Sequence, residues 1–168
     1  MEEIINLSLL YEISQALNVH LGLKRSLYRV LDILSNSMQM VRGTIALLHP
    51  VHNEIKIEVA HGLSESAKRR GRYKVGEGII GRVIEDGEAV AIPKISEEPL
   101  FLNRTEARRA LGDHDISFFC VPVKKGDKVI GALSVDRLYE PALSLEDGLH
   151  MLAVVATMIA THVINLET

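Results

Sequence analysis

The sequence has a single cysteine, no tryptophan and few aromatic residues of any kind, which make up 4% of its 168 residues. One cysteine, Cys120, excludes an internal disulfide and a cysteine metal cage, and it indicates a protein of the reducing cytoplasm. Because aromatic side chains are scarce, the core must be aliphatic. A positive net charge is also lacking. The formal charge is −3, which argues against direct nucleic-acid binding, since neutralising phosphates needs a basic surface.

No positively charged leader precedes the first apolar residues, so a signal peptide is not expected. The one long uncharged stretch, residues 149–166, is barely long enough to span a bilayer. It contains His150, His162 and Asn165, and it follows a capping sequence at residues 144–147 that is typical of soluble helices. We therefore expect a buried or dimer-forming helix there and no membrane span.

The spacing of apolar residues predicts one α+β domain over residues 1–168, with 47% hydrophobic residues to form a core. The predicted elements are helices at 4–18 and 23–40, strands 44–48 and 54–60 as a hairpin, a short helix within 62–72, a brief strand at 73–75, a helix at 79–85, a strand at 89–92, a helical turn near 105–111, strands 117–123 and 128–135 as a second hairpin, and a long helix from 144. This order predicts an antiparallel sheet with the N- and C-terminal helices packed on one face, and with loops and short helices forming a pocket on the other. Residues 19–143 would form the core of the domain, and residues 1–18 and 144–168 would form terminal helices for dimerisation and signalling.

The stretch VGEGIIGRV contains Gly76, Gly78 and Gly81 at the spacing of a dinucleotide-binding turn. A dinucleotide fold needs a buried parallel strand before these glycines and a crossover helix of a dozen or more residues after them. Here the preceding strand is short and polar at alternate positions, and Gly87 ends the following helix early. We interpret Gly76 and Gly78 as turn residues, and Gly81 as a residue that allows close packing.

Positive charge is concentrated around this turn, because residues 68–109 contain ten basic residues and seven acidic ones. The N–H groups at the start of the predicted helix, around residues 78–81, would attract anions. Two interpretations of the basic residues remain open. They are a solvated surface, or one or two of them line a pocket for a small anion.

Three segments carry a resemblance to a known family: VGEGIIGRV, EPLFLNR and FFCVPVKKGDKVIGALSVDR. Together with the order of elements, the third segment resembles a GAF domain, and the fold class is therefore expected to be GAF-like. The first two are similar to the N-terminal sensory domain of NifA-type sigma-54-dependent activators, which regulate nitrogen-fixation genes. The resemblance covers essentially the whole chain.

The resemblance implies a regulatory domain that controls an AAA+ ATPase and a DNA-binding domain absent from this chain, which has no GxxxxGK[ST] sequence. The domain would respond to a small anionic metabolite such as 2-oxoglutarate, or to a regulatory protein partner. It is expected not to be an enzyme. Neither a cofactor nor a metal is expected, because the histidines are scattered and the cysteines of methionine-sulfoxide-reducing GAF enzymes are missing. Cys120 is interpreted as a small buried strand residue.

Candidate ligand residues lie in the basic segment and on the first strand of the second hairpin. Arg104 is the first choice for a carboxylate clamp, because a guanidinium suits bidentate pairing. The further candidates are Arg82, Lys94, the N–H groups of Gly78, Ile79 and Ile80, and a pocket lining of Ser117, Phe119, Val121 and Val123. The GAF resemblance implies this face of the strand, because it places the position after the proline, Val123, toward the pocket. The alternative is that these side chains bind no ligand and only pack in the core. The bulky residues Ile79, Ile80, Phe101 and Phe119 could then fill the pocket.

The terminal helices carry apolar residues at helical spacing that predict a homodimer interface. These are Leu10, Ile13, Leu17, Leu149, Leu152, Val155, Ile159 and Val163. The alternative is ordinary packing on the sheet. Two functions therefore remain open: a small-molecule sensor in which binding orders residues 96–115 and changes the dimer, and a protein-interaction and dimerisation module whose pocket is filled by its own side chains.

Overall fold

The computed structural model describes residues 2–18, 21–49, 51–97 and 115–167. Its elements are α1 (Glu2–Asn18), α2 (Leu23–Ser37), β1 (Met40–His49), β2 (Glu54–His61), α3 (Glu65–Arg70), β3 (Arg72–Lys74), α4 (Gly78–Asp86), β4 (Val90–Ile92), a single 3₁₀ turn (Ile95–Glu97), β5 (Ile116–Lys125), β6 (Lys128–Leu138) and α5 (Leu145–Glu167). The six strands form one sheet in the order β3-β2-β1-β6-β5-β4, and each neighbouring pair is antiparallel. The predicted α+β architecture is confirmed.

One face of the sheet, which we call the helix side, is covered by α1, α2 and α5. Helix α2 shows why: Leu27, Leu31 and Leu34 recur every three or four residues and have no exposed surface. Helix α2 ends at Ser37, earlier than predicted, and Gln39 adopts the left-handed conformation with φ 54°. Met40 then begins β1. Its side chain is buried, and a buried apolar residue suits the end of a helical stripe as well as the start of a strand, which is why the predicted helix extended too far.

The other face, which we call the loop side, carries a second core built with α3, α4 and the edge strands. Its members are mostly aliphatic, as the composition predicts: Ile55, Ile57, Ile79, Ile80, Val83, Ile84 and Ile92, with Tyr73, Phe118 and Cys120. The helical turn predicted near 105–111 lies outside the described residues, as does most of the segment 96–115.

The stripe predicted to form a dimer interface is largely part of the domain's own core. Ile13, Leu152, Val155 and Ile159 have no exposed surface, and Val163 is 3% exposed. For these residues the interface prediction is wrong, because a helix lying on a sheet needs the same spacing as a helix lying on a second copy. Leu10, Leu17 and Leu149 are half-buried against that core.

Helix α5 is also long and apolar enough, over Leu145–Leu166, to cross a membrane by length and composition alone. In this fold its apolar residues pack on β5 and help to form the helix-side core. A core helix of this kind meets the same length and composition test.

Candidate functional site

The glycine turn sits at the edge of the sheet, between β3 and α4. Gly76 has φ 88° and Gly78 has φ 64°, so both adopt backbone conformations that side chains disfavour. A Cβ on Gly81 would lie 2.5 Å from the carbonyl oxygen of Lys74, and the Gly76 N–H donates to the Gly81 carbonyl at 2.9 Å. The structural interpretation of all three glycines is confirmed.

The elements on either side of this turn are not those of a dinucleotide site. Strand β3 has three residues and pairs antiparallel with β2, and α4 has nine residues. The left-handed Gly87 ends α4, with φ 73°. A buried parallel strand and a long crossover helix are therefore both missing at this motif.

The start of α4 faces the loop-side core. The N–H of Gly81 donates to the carbonyl of Glu77 at 3.0 Å, so the first turn of the helix comprises Gly78, Ile79 and Ile80. Ile79 and Ile80 are 7% and 8% exposed, and Ile80 lines a small cavity on this side of the sheet. Of the predicted N–H donors, only Ile80 borders that cavity, and its bulky side chain forms part of the wall.

The cavity has a polar floor on the two central strands. Arg42 and Thr44 of β1 stand beside Asp136 and Ser134 of β6. The Arg42 Nε donates to Asp136 Oδ2 at 3.2 Å, and the Thr44 and Ser134 hydroxyls are hydrogen-bonded to each other. Arg42 is 6% exposed and Asp136 is 2% exposed, so this is a buried ion pair. Ile57, Leu63, Tyr73 and Ile80 complete the walls.

The volume and charge of this cavity limit what it can bind as it stands. It holds about 20 Å³, which is room for a single water molecule. An anion that approached Arg42 would have to compete with Asp136 for the guanidinium. Sequence reasoning missed these four polar residues, although their alternation along β1 and β6 is the signal that could have identified them.

The basic residues that we predicted as ligand contacts do not gather at this cavity. Arg82 is exposed on α4. Lys94 is half-buried, and its Nζ lies 4.9 Å from the centre of the Tyr139 ring. Neither residue lines the cavity. Arg104 and Phe101 lie outside the described residues.

The predicted pocket lining on β5 points to the wrong side of the sheet. Phe119, Val121 and Val123 belong to the helix-side core, whereas Phe118 and Cys120 face the loop side. Strand alternation defines two sets of residues but not which set faces which layer, and the position after the proline is a misleading guide. Ser117 shares the buried strand and donates its hydroxyl to the Pro93 carbonyl at 2.8 Å.

Cys120 is fully buried in the loop-side core, as expected of a structural residue. Burial raises the pKa of its thiol far above the ordinary value, so the reactive thiolate is scarce. Among the described residues, no three histidine, cysteine, aspartate or glutamate side chains come together in a way that could hold a metal ion.

The sheet order, the helix-covered face and the small second layer are those of a known family, and the GAF domain model matches residues 22–163. The chain belongs to the GAF domain family. It is 39% identical to the nitrogen fixation protein VnfA of Azotobacter vinelandii, over 92% of this chain and 30% of that protein. It is 37% identical to the Nif-specific regulatory protein of Azospirillum brasilense, over 92% of this chain and 25% of that protein.

The solved GAF domain of A. aeolicus nlh2, described as being in an inactive state, superposes with a TM-score of 0.86. It covers 99% of both chains at 23% identity, which shows the fold alone. The predicted resemblance to GAF domains and to Nif regulators is thus confirmed. The chain spans only about a quarter to a third of the length of the two nitrogen-fixation proteins.

Proposed function

We propose that this chain is the regulatory GAF domain of a cytoplasmic Nif-type transcriptional activator, and that it has no catalytic activity of its own. The similarity to nitrogen-fixation regulators over 92% of the chain carries this proposal. The rest of such an activator would contain the AAA+ ATPase and the DNA-binding domain that the sequence resemblance implies. A direct test is to replace the matching segment of such a regulator with this chain and to measure expression from its target promoter. Loss of regulated expression in a folded chimera would contradict the proposal.

The exposed side of α5 supports a homodimer as the means of output. His150, Ala153, Val154, Thr157 and Thr161 form one exposed stripe along the helix, and residues 148–166 contain no Lys, Arg, Asp or Glu. We call this the α5 stripe. Water-facing helix surfaces normally carry charge, so an uncharged stripe with Val154 46% exposed suits contact with a second copy. The proposed interface is therefore the α5 stripe and not the buried residues of the predicted one.

The dimer is tested by placing a charge in the α5 stripe. Val154→Glu and Thr157→Glu should convert a dimer into a folded monomer, because a carboxylate would be buried against the second copy. Light scattering after size-exclusion chromatography measures the mass. Arg82→Glu on the exposed side of α4 is the matched control and should leave the dimer intact. A wild-type protein that is monomeric at all concentrations would contradict this part of the proposal.

The loop-side cavity favours the interaction module over the metabolite sensor. The cavity holds only about 20 Å³, and Arg42 is already paired with Asp136. It is therefore not a preformed site for 2-oxoglutarate, because ligand pockets in proteins usually have volumes of several hundred Å³. Binding at this cavity would have to move Ile80 or separate Arg42 from Asp136. A regulatory protein partner acting on the domain surface needs neither change.

Calorimetric titration separates the two hypotheses. The ligands are 2-oxoglutarate, succinate, glutamine and cGMP, each up to about 10 mM, which is well past a Kd of about 1 mM. Saturable binding of 2-oxoglutarate that Arg104→Ala weakens would support the sensor. Absence of heat with all four would support the interaction module.

Either kind of input could reach α5 through β5. Phe118 and Cys120 pack in the loop-side core, while Phe119 and Val121 on the same strand pack in the helix-side core. A displacement of β5 by a partner or ligand would therefore change how α5 packs on the sheet. The geometry of the proposed dimer would change with it.

A further inference from the structure

A second and larger cavity lies on the helix side, away from the loop-side cavity. It is a cleft open to solvent on one side, lined by the start of α1, the end of α2, the end of β6 and the start of α5, and it holds about 190 Å³. Its wall is part polar, with Asn6, Ser37, Gln39 and Asp147, and part apolar, with Met151. The volume is more than ten times the roughly 10–15 Å³ that one water needs on the same measure, so a small organic molecule fits.

Arg137 of β6 lies on the wall of this cavity as a buried cation without a counter-ion among the described residues. It is 7% exposed, and its guanidinium carbon lies 4.9 Å from the centre of the Phe119 ring. Its Nε is buried and has no hydrogen-bond partner, and it forms no ion pair with any described acid. Buried charges in proteins are normally paired. Arg42, across the sheet, illustrates the rule through its ion pair with Asp136.

The N-terminus of α5 forms the facing wall. Helix α5 has 23 residues, and Ser144 caps it by accepting a hydrogen bond from the Asp147 N–H at 3.1 Å. A Cβ on Gly148 would lie 3.5 Å from Arg137 Nη1, so the guanidinium reaches the first turn of this helix. The positive end of a long helix and a guanidinium therefore border the same space.

We propose that this helix-side cavity binds a small carboxylate or phosphate anion, with the Arg137 guanidinium as the anchoring group. A planar guanidinium can hold two oxygens of either anion at once. Asp147 on the rim repels a second negative charge, and it gives a place for a cationic group on the ligand. The apolar wall around Met151 suits a short carbon chain, so a carboxylate with an amino group fits best among these anions. The proposal goes beyond the proposed function and does not rest on it.

Occupancy of this site would act on the terminal helices directly. The cavity lies where α1, the end of α2 and the start of α5 meet, so an anion there would bridge these helices to β6. Its consequence would be a change in the packing of α5 that does not pass through the loop side.

The test is titration of the intact domain with acetate, succinate, glutamate and inorganic phosphate, followed by calorimetry and by thermal unfolding. We expect saturable binding of at least one of these anions. Arg137→Gln should weaken that binding about tenfold or more, since it removes a charge-assisted pair. Arg82→Gln, which removes an exposed arginine from α4, is the matched control and should bind like the wild type. Comparison of glutamate with succinate and phosphate tells which anion chemistry the site accepts.

A second variant guards against a folding defect at Arg137. Ser37 is exposed at the rim of the cavity, so Ser37→Tyr should fill the space and abolish binding while Arg137 and the core stay intact. Circular dichroism and the unfolding midpoint check both variants. The proposal is overturned if none of the anions binds up to about 10 mM. It is equally overturned if binding survives both Arg137→Gln and Ser37→Tyr, or is lost only in Arg104→Ala.

Discussion

Gly81→Ala tests the reason for the glycine motif most directly. The added Cβ would lie 2.5 Å from the Lys74 carbonyl oxygen and 3.0 Å and 3.1 Å from the N and C atoms of Gly76. All three neighbours are backbone atoms, which cannot rotate out of the way as a side chain can. Helix α4 would therefore have to move away from the turn that carries the hydrogen bond from Gly76 to Gly81.

Two opposing terms set the size of the effect. Alanine is favoured over glycine within a helix by about 1 kcal/mol. Overpacking costs roughly 1–3 kcal/mol, and backbone neighbours place this case near the upper end. We expect a net loss of about 2 kcal/mol in the free energy of unfolding, which for a domain of this size lowers Tm by about 4–8 °C.

Urea unfolding followed by circular dichroism measures the loss. Arg82→Ala, at the next position on the same helix, is exposed and should change the free energy of unfolding by no more than about 0.5 kcal/mol. If Gly81→Ala were as stable as the wild type, or more stable, the close-approach argument would be refuted. Unchanged stability with loss of a bound nucleotide would instead favour a binding role for the motif.

Three further predictions concern polar groups that are wholly or partly buried. Arg42→Met or Asp136→Asn alone should destabilise the fold by about 3–5 kcal/mol in chemical denaturation, since each breaks the buried ion pair between these two side chains, whereas an apolar double replacement should recover much of the loss. Cys120 should resist alkylation in the folded protein and react once urea unfolds it, because burial raises its pKa; rapid labelling under native conditions would contradict this. Burial lowers the pKa of His162, so the unfolded chain takes up the proton first as the pH falls below about 6.5. Stability should therefore be full above that pH and decline below it, and His162→Asn should flatten the decline in urea midpoints measured across this range; an unchanged slope would refute the assignment.

Much of the fold follows from local patterns. The alternation in β2 and the spacing of Leu27, Leu31 and Leu34 in α2 identify the layers, because a half-buried strand and a half-buried helix each repeat with their own period. The predicted end of α2, which included Met38 to Met40, is wrong because periodicity is ambiguous there. A short apolar stretch suits both periods, and only the left-handed Gln39 decides where the helix stops.

The candidate site is much harder to predict from the sequence than the fold is. Arg42 and Asp136 are 94 residues apart in sequence, and only the antiparallel pairing of β1 with β6 brings them together. Arg137 is the neighbour of Asp136 in sequence, yet it lies on the opposite face, beneath α5. A pattern along one strand cannot tell which of two adjacent charged residues will find a counter-ion across the sheet.

The sequence by itself determined the elements, the aliphatic core, the turn role of Gly76 and Gly78, and the resemblance to Nif-type GAF domains. Only the tertiary structure decided which face of β5 meets the helices, which apolar residues of α5 remain exposed, and which arginine is paired. The difference is physical. Propensity, period and turn conformation act between neighbours along the chain, whereas the facing of a strand and the pairing of a buried charge depend on partners that folding brings from far away.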